Sequence, residues 1–119
     1  MCQKAFGGFY GPYVAMTREQ VTWTRGEPKL FASSNVVSRG FCPECGTQLT
    51  FEGAGFYDIA IGAFDDPADI EPTIQIGLES KLPWVDALGS LRTQSAEGQA
   101  KTAAYQAQVV SHQHPDHDT

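Results

Sequence analysis

At 119 residues the chain has the size of a single domain around one core, which excludes a multidomain enzyme. Hydrophobic residues at 41% and charged residues at 18% place it with globular sequences and outside the disordered class. Fourteen Asp and Glu against eight Lys and Arg leave a net charge of −6, which argues against a partner held by neutralising many phosphates, so no nucleic-acid partner is expected. No apolar run approaches the roughly 20 residues of a spanning helix, and the N-terminus has no signal-peptide stretch; the expectation is a cytoplasmic protein with no membrane partner. Three cysteines, two of them in a tight Cys-Pro-Glu-Cys, do not form a secreted disulfide framework, and metal chemistry is the better first reading.

Twelve glycines and seven prolines cut the first two thirds of the chain into short segments, which favours strands over helices. Gln20 to Thr24 alternates around Val21 and Trp23, and Thr47 to Glu52 around Leu49 and Phe51; both have the period of a half-buried strand. Phe56 to Phe64 puts Phe56, Asp58, Ala60, Gly62 and Phe64 on one side and Tyr57, Ile59, Ile61 and Ala63 on the other, and is expected as a central strand. Asp65-Asp66-Pro67 and Glu71-Pro72 carry turn chemistry, which predicts a long loop before a shorter strand over Thr73 to Leu78. From Ser95 to Val110 the composition changes to Ala, Gln, Glu and Lys, with Ser95 as N-cap and Tyr105 and Val109 four apart, which predicts a helix. That helix has few large apolar groups and an internal Gly98, so it is expected as a lid or appendage and not as core. The residues divide into a β domain over 1–94, a helix over 95–110 and a disordered tail over 111–119.

The sharpest local feature is Phe41-Cys42-Pro43-Glu44-Cys45-Gly46-Thr47. Two thiolates two residues apart, with proline stiffening the approach and glycine permitting a tight turn, form a knuckle that supplies half of a tetrahedral zinc site. A redox dithiol is the competing reading, although the thioredoxin type of Cys-x-x-Cys opens a helix and this one precedes a strand. A closed zinc site needs two further ligands. Cys2 is the remaining cysteine, and taken alone such a residue carries no assignment. His112, His114 and His117 can chelate only by ordering a polar tail, at an entropic cost, and a plain solvated tail is the simpler reading. Trp23 and Trp84 are candidates for a cleft wall, against the usual place of tryptophan in the core of a small β domain.

Met1-Cys2-Gln3-Lys4-Ala5-Phe6-Gly7-Gly8, Trp23-Thr24-Arg25-Gly26-Glu27-Pro28 and Ser38-Arg39-Gly40-Phe41-Cys42-Pro43-Glu44-Cys45-Gly46-Thr47 follow one another in an order that resembles the glutathione-dependent formaldehyde-activating enzyme family, which shares its domain with centromere protein V. Gly62-Ala63-Phe64-Asp65-Asp66-Pro67 and Ser80-Lys81-Leu82-Pro83-Trp84 resemble later landmarks of that family, so the likeness runs from Cys2 to about Leu91. It implies a mainly β, Mss4-like small antiparallel domain, here with a C-terminal helix. It also implies a zinc-dependent carbon-sulfur lyase, an S-hydroxymethylglutathione synthase with glutathione and formaldehyde as partners. In the family two zincs are held by cysteines: a structural one shared by an N-terminal Cys-x-Cys and the later Cys-Pro-x-Cys, and a catalytic one on Cys-x-Cys-x-x-Cys. Cys42 and Cys45 match half of the first set, and Cys2 matches the last member of the second.

The expectations that follow are specific. Cys2, Cys42 and Cys45 are candidate metal ligands, with zinc weak or absent in this chain because four family ligands have no counterpart. Met1 falls where the residue before the third catalytic cysteine stands, so the chain reads as beginning inside the family pattern, or else as a true short member. In the full family an open zinc position binds the incoming thiol as thiolate, well below the roughly 8.5 pKa of free cysteine. Lys4 and Arg39 stand beside the cysteine motifs and are candidate partners for glutathione carboxylates, against the plainer reading as surface charges. The short form is expected to be inactive and homo-oligomeric. The alternative function is a non-catalytic zinc-knuckle interaction domain, by analogy with the exchange-factor and chaperone roles of Mss4.

Overall fold

The computed structural model describes residues 1–113. They form two compact units, one over Met1–Glu79 and a second from Ser80 onward. The first is a five-stranded antiparallel sheet of β1 (Tyr13–Met16), β2 (Lys29–Ala32), β3 (Val37–Phe41), β4 (Gln48–Gly53) and β5 (Phe56–Ala60), in the order β1-β5-β4-β3-β2. A five-residue helix, α1 (Cys2–Phe6), precedes it and stops at Gly7, whose φ of 61° is the left-handed value a helix C-terminus favours. This is a small, mainly β domain, consistent with the Mss4-like arrangement.

Strand alternation divides the sheet into two faces. Cross-strand pairs Phe31↔Arg39, Arg39↔Phe51, Phe51↔Asp58 and Asp58↔Ala15 run across one face, and Tyr13 shares it through its pairing with Ala60. On the other lie Leu30↔Gly40, Gly40↔Thr50, Thr50↔Ile59 and Ile59↔Val14, with Glu52 and Tyr57 one step along. The buried apolar residues are Tyr57, Ile59 and Ala60, and Arg39, Thr50 and Glu52 are buried beside them. A core this rich in polar groups must satisfy them internally. It does so: Thr50 Oγ1 donates to Glu52 Oε1 at 2.9 Å, and Arg18 pairs with Glu52 Oε2 while its guanidinium lies 4.4 Å over the Tyr57 ring. Gly40 is required in this row, because a Cβ there would stand 2.2 Å from Thr50 Oγ1.

Three segments differ from the sequence expectation. Gln20 to Thr24 is not a strand: Thr17 and Gln20 form a reciprocal capping box, Thr17 N donating to Gln20 Oε1 at 2.8 Å, and this local bonding turns Arg18–Gln20 into a 3₁₀ turn. Trp23, at 36% exposed, is not core. The Phe56–Phe64 pattern pairs only to Ala60 and then tightens into a 3₁₀ turn at Ile61–Ala63, so β5 lies second from the edge and β4 is the central strand. Thr73 to Leu78 keeps its alternation but is not a strand; Ile74 and Ile76 are 79% and 86% exposed, and Gly77 turns the backbone at φ 69°. Asp66 caps the 3₁₀ turn Pro67–Asp69 inside the expected loop, its Oδ1 accepting from Ala68 N at 3.1 Å.

In the second unit the helix is where its cap placed it. It runs as α2 (Ala96–Gln106), with Ser95 Oγ accepting from Gly98 N at 3.2 Å and Lys101 paired with Glu97 one turn back. None of its residues is buried, as expected for an appendage. Trp84, at 48% exposed, is not core either. The tail expected from 111 has no regular structure over 111–113, and His114 and His117 lie outside the described residues.

Candidate functional site

The face that carries Arg39 is where the chemistry gathers. β3 holds Arg39 between Phe31 of β2 and Phe51 of β4, and the guanidinium carbon sits 4.6 Å above the Phe51 ring. Phe6 of α1 stands edge-on against Tyr13, with ring centroids 5.3 Å apart at 79°; Tyr13 meets Phe51 at 5.3 Å and Phe51 meets Phe56 at 5.2 Å. This aromatic row seats α1 on the sheet, which brings the two ends of the motif sequence together. Arg39 Nη1 donates to Tyr13 Oη at 2.7 Å and Nη2 to Cys2 Sγ at 3.4 Å. Arg39 is only 5% exposed, so the surface-charge reading of this residue is wrong.

Beside this cluster is a cavity of about 510 Å³ lined by Met1, Lys4, Phe31, Arg39, Phe41 and Gln48 among others. Two positive groups therefore share one largely apolar wall, on a chain whose overall charge is −6. Burial pushes the Tyr13 hydroxyl above its ordinary pKa, partly offset by the Arg39 charge and hydrogen bond. Burial likewise raises the Asp58 carboxyl on the same face. Tyr13 was not singled out by the sequence; its strand is four residues long, too short for a periodicity, and only its register against β5 shows which face it joins.

Cys42 and Cys45 lie on the β3–β4 turn. Cys42 N donates to Thr47 O and Gly46 N to Cys42 O, both at 2.9 Å, and Gly46 takes φ 77°. The pairing slips by one residue between Gly40 and Phe41, so the strands enter this turn out of plain register. Cys45 Sγ stands 3.1 Å from Thr47 Oγ1. Cys2, Cys42 and Cys45 are thiols outside any disulfide. The structure thus unites Cys2, Lys4 and Arg39 but does not gather the three candidate metal ligands. Among the described residues no group of three or more His, Cys, Asp or Glu side chains is placed to hold a metal ion. Among the described residues the gathered donors do not make up a closed or catalytic zinc shell.

One small, mainly β domain thus carries a Cys-x-x-Cys turn and a cavity with two cations in its wall. The family model for the glutathione-dependent formaldehyde-activating enzyme matches residues 1–80, and the chain belongs to that family. The match ends one residue past the first compact unit. No curated protein and no solved structure matches the chain.

Proposed function

We propose that the chain serves glutathione–formaldehyde chemistry of the S-hydroxymethylglutathione synthase type, a carbon-sulfur lyase reaction, and that glutathione occupies the cavity between α1 and the β2–β3–β4 end of the sheet. The observation that supports this reading most is the convergence of Lys4 and Arg39 on one cavity, with Cys2 in contact with Arg39. In the reaction the thiol sulfur forms a bond to the formaldehyde carbon, the carbonyl π pair moves to oxygen, and the thiol proton ends on that oxygen. Two cations beside a largely apolar wall favour an anionic ligand of the glutathione kind. Membership of the family supports the substrates, and no helix among the described residues is long and apolar enough to cross a membrane.

Among the described residues no side chains gather to hold the zinc that the family resemblance implies, and the proposal includes slow or no turnover by this chain alone. A homo-oligomer is part of the same proposal; the edge strand β2, all four of whose residues are exposed, supports it. The test is a titration of glutathione followed by calorimetry, with adduct formation from carbon-labelled formaldehyde measured against the spontaneous rate. Saturable glutathione binding with little acceleration is expected. Absence of saturable binding contradicts the proposal, and the non-catalytic knuckle domain then becomes the better account.

A further inference from the structure

Arg39 lacks the partner that a buried guanidinium ordinarily has. It is 5% exposed, yet its hydrogen bonds go to a phenol and a thiol, and no carboxylate of the described residues forms an ion pair with it. Removing a charge from water without an opposite charge is costly, and proteins pair such groups or leave the place open for a ligand. Here the same side chain forms part of the wall of the 510 Å³ cavity. Glu52, the buried carboxylate nearest in sequence on β4, is on the opposite face and is already taken by Arg18 and Thr50.

We infer that Arg39 is the specificity-determining anchor for a carboxylate in this cavity, and that Tyr13 is the positioning residue that holds its guanidinium in place. The inference rests on the reading of the cavity as a ligand site and adds how a diacid is held there: one carboxylate on Arg39, fixed by Tyr13 and Phe51, and one on Lys4. Three features carry it. The planar guanidinium is fixed from below by the Phe51 ring at 4.6 Å, so its orientation is set before a ligand arrives. Tyr13 Oη takes one Nη at 2.7 Å, while the other Nη is held only by a long 3.4 Å contact to sulfur, a weak acceptor that a carboxylate oxygen readily replaces. Lys4 supplies a second positive group on the same cavity, and its flexible stem accommodates the spacing of a second carboxylate.

The test compares ligands that differ in charge and do not react. S-methylglutathione, its dimethyl ester and glutarate are titrated into the full chain by calorimetry. The diacid is expected to bind at least about tenfold tighter than the diester, the size of one charge-assisted hydrogen-bonded pair. Arg39→Gln is expected to weaken the diacid by about tenfold and leave the diester unchanged, so that only the Lys4 share of the difference remains, and Tyr13→Phe to weaken the diacid by about three- to tenfold while leaving the diester unchanged. Equal affinity for diacid and diester in the unmodified protein overturns the inference, and that comparison needs no variant to fold. Undiminished discrimination in a folded Arg39→Gln protein overturns it as well. Arg39-dependent binding of glutarate without binding of S-methylglutathione upholds the inference while contradicting the glutathione function proposed above. Glutathione binding that ignores esterification does the reverse.

Discussion

Gly40→Ala probes the packing that keeps the two faces of the sheet distinct. The new methyl would lie 2.2 Å from Thr50 Oγ1, 3.0 Å from Pro28 Cβ and 3.3 Å from Leu30 Cδ2. Thr50 cannot swing into solvent, since it is 1% exposed, and its hydroxyl is committed to Glu52 at 2.9 Å. Relief requires either a shift of the β3–β4 pairing or loss of that bond. Overpacking of this kind costs about 1–3 kcal/mol. Losing a hydrogen bond to a buried carboxylate adds about 1.5–3 kcal/mol. Alanine recovers about 0.5–1 kcal/mol over glycine in a strand, which leaves a net destabilisation of about 1.5–5.5 kcal/mol where both costs fall. Urea unfolding followed by tryptophan fluorescence measures it. Thr50→Ala removes the colliding atom, so the Gly40→Ala/Thr50→Ala double variant should be more stable than the sum of the singles by about 1 kcal/mol or more. A single variant within about 0.5 kcal/mol of the parent, or a strictly additive pair, refutes the packing argument.

Three further outcomes are expected. Arg18→Ala should cost about 1–2 kcal/mol in the same assay: it strands the Glu52 carboxylate, whose side chain is 10% exposed, but Arg18 itself is 66% exposed and so contributes less than a fully buried partner. An unchanged midpoint would show that water replaces it without loss. Burial raises the Asp58 carboxyl above its ordinary 3.8, so the fold favours the neutral form, and the associated stability is present below 3.8 and lost as pH rises through the raised value. Asp58→Asn should therefore raise Tm at pH 7, with the gain shrinking as pH falls through the raised value and gone below 3.8; a gain that grows on acidification contradicts the assignment. Native mass spectrometry of the purified chain should find well below one tightly held zinc per chain, because Cys42 and Cys45 supply half a shell. One equivalent that resists chelation would show ligands supplied from elsewhere, a partner copy included.

What the sequence disclosed depended on how local the cause was. The Ser95 cap and the knuckle at Cys42–Cys45 are set by residues within a few positions, and both stand where the pattern put them. Thr47–Glu52 and the first half of Phe56–Phe64 read correctly because they pair through a short hairpin. Gln20–Thr24 misled because a capping box over Thr17–Gln20 competes with the alternation that follows it. Thr73–Leu78 has the period of a strand, but period alone does not supply a neighbouring edge. At the site, the family motifs named Cys2, Lys4 and Arg39, yet nothing in their spacing showed that the chain folds back so that Arg39 reaches Cys2, 37 positions earlier. Tyr13 became visible only through β1–β5 register, and the burial of Arg39 only through the aromatic row that seats α1.

The measurement that bears most directly on the account is amide shift mapping by NMR as glutathione is added to the full chain. The account predicts that the largest shifts cluster at Lys4, Phe31, Arg39, Phe41 and Gln48, the wall of the cavity, with the Arg39 side-chain resonance moving as well. Shifts that fall instead on the opposite face around Thr50 and Tyr57, or on α2, or no saturable shifts at all, would contradict it.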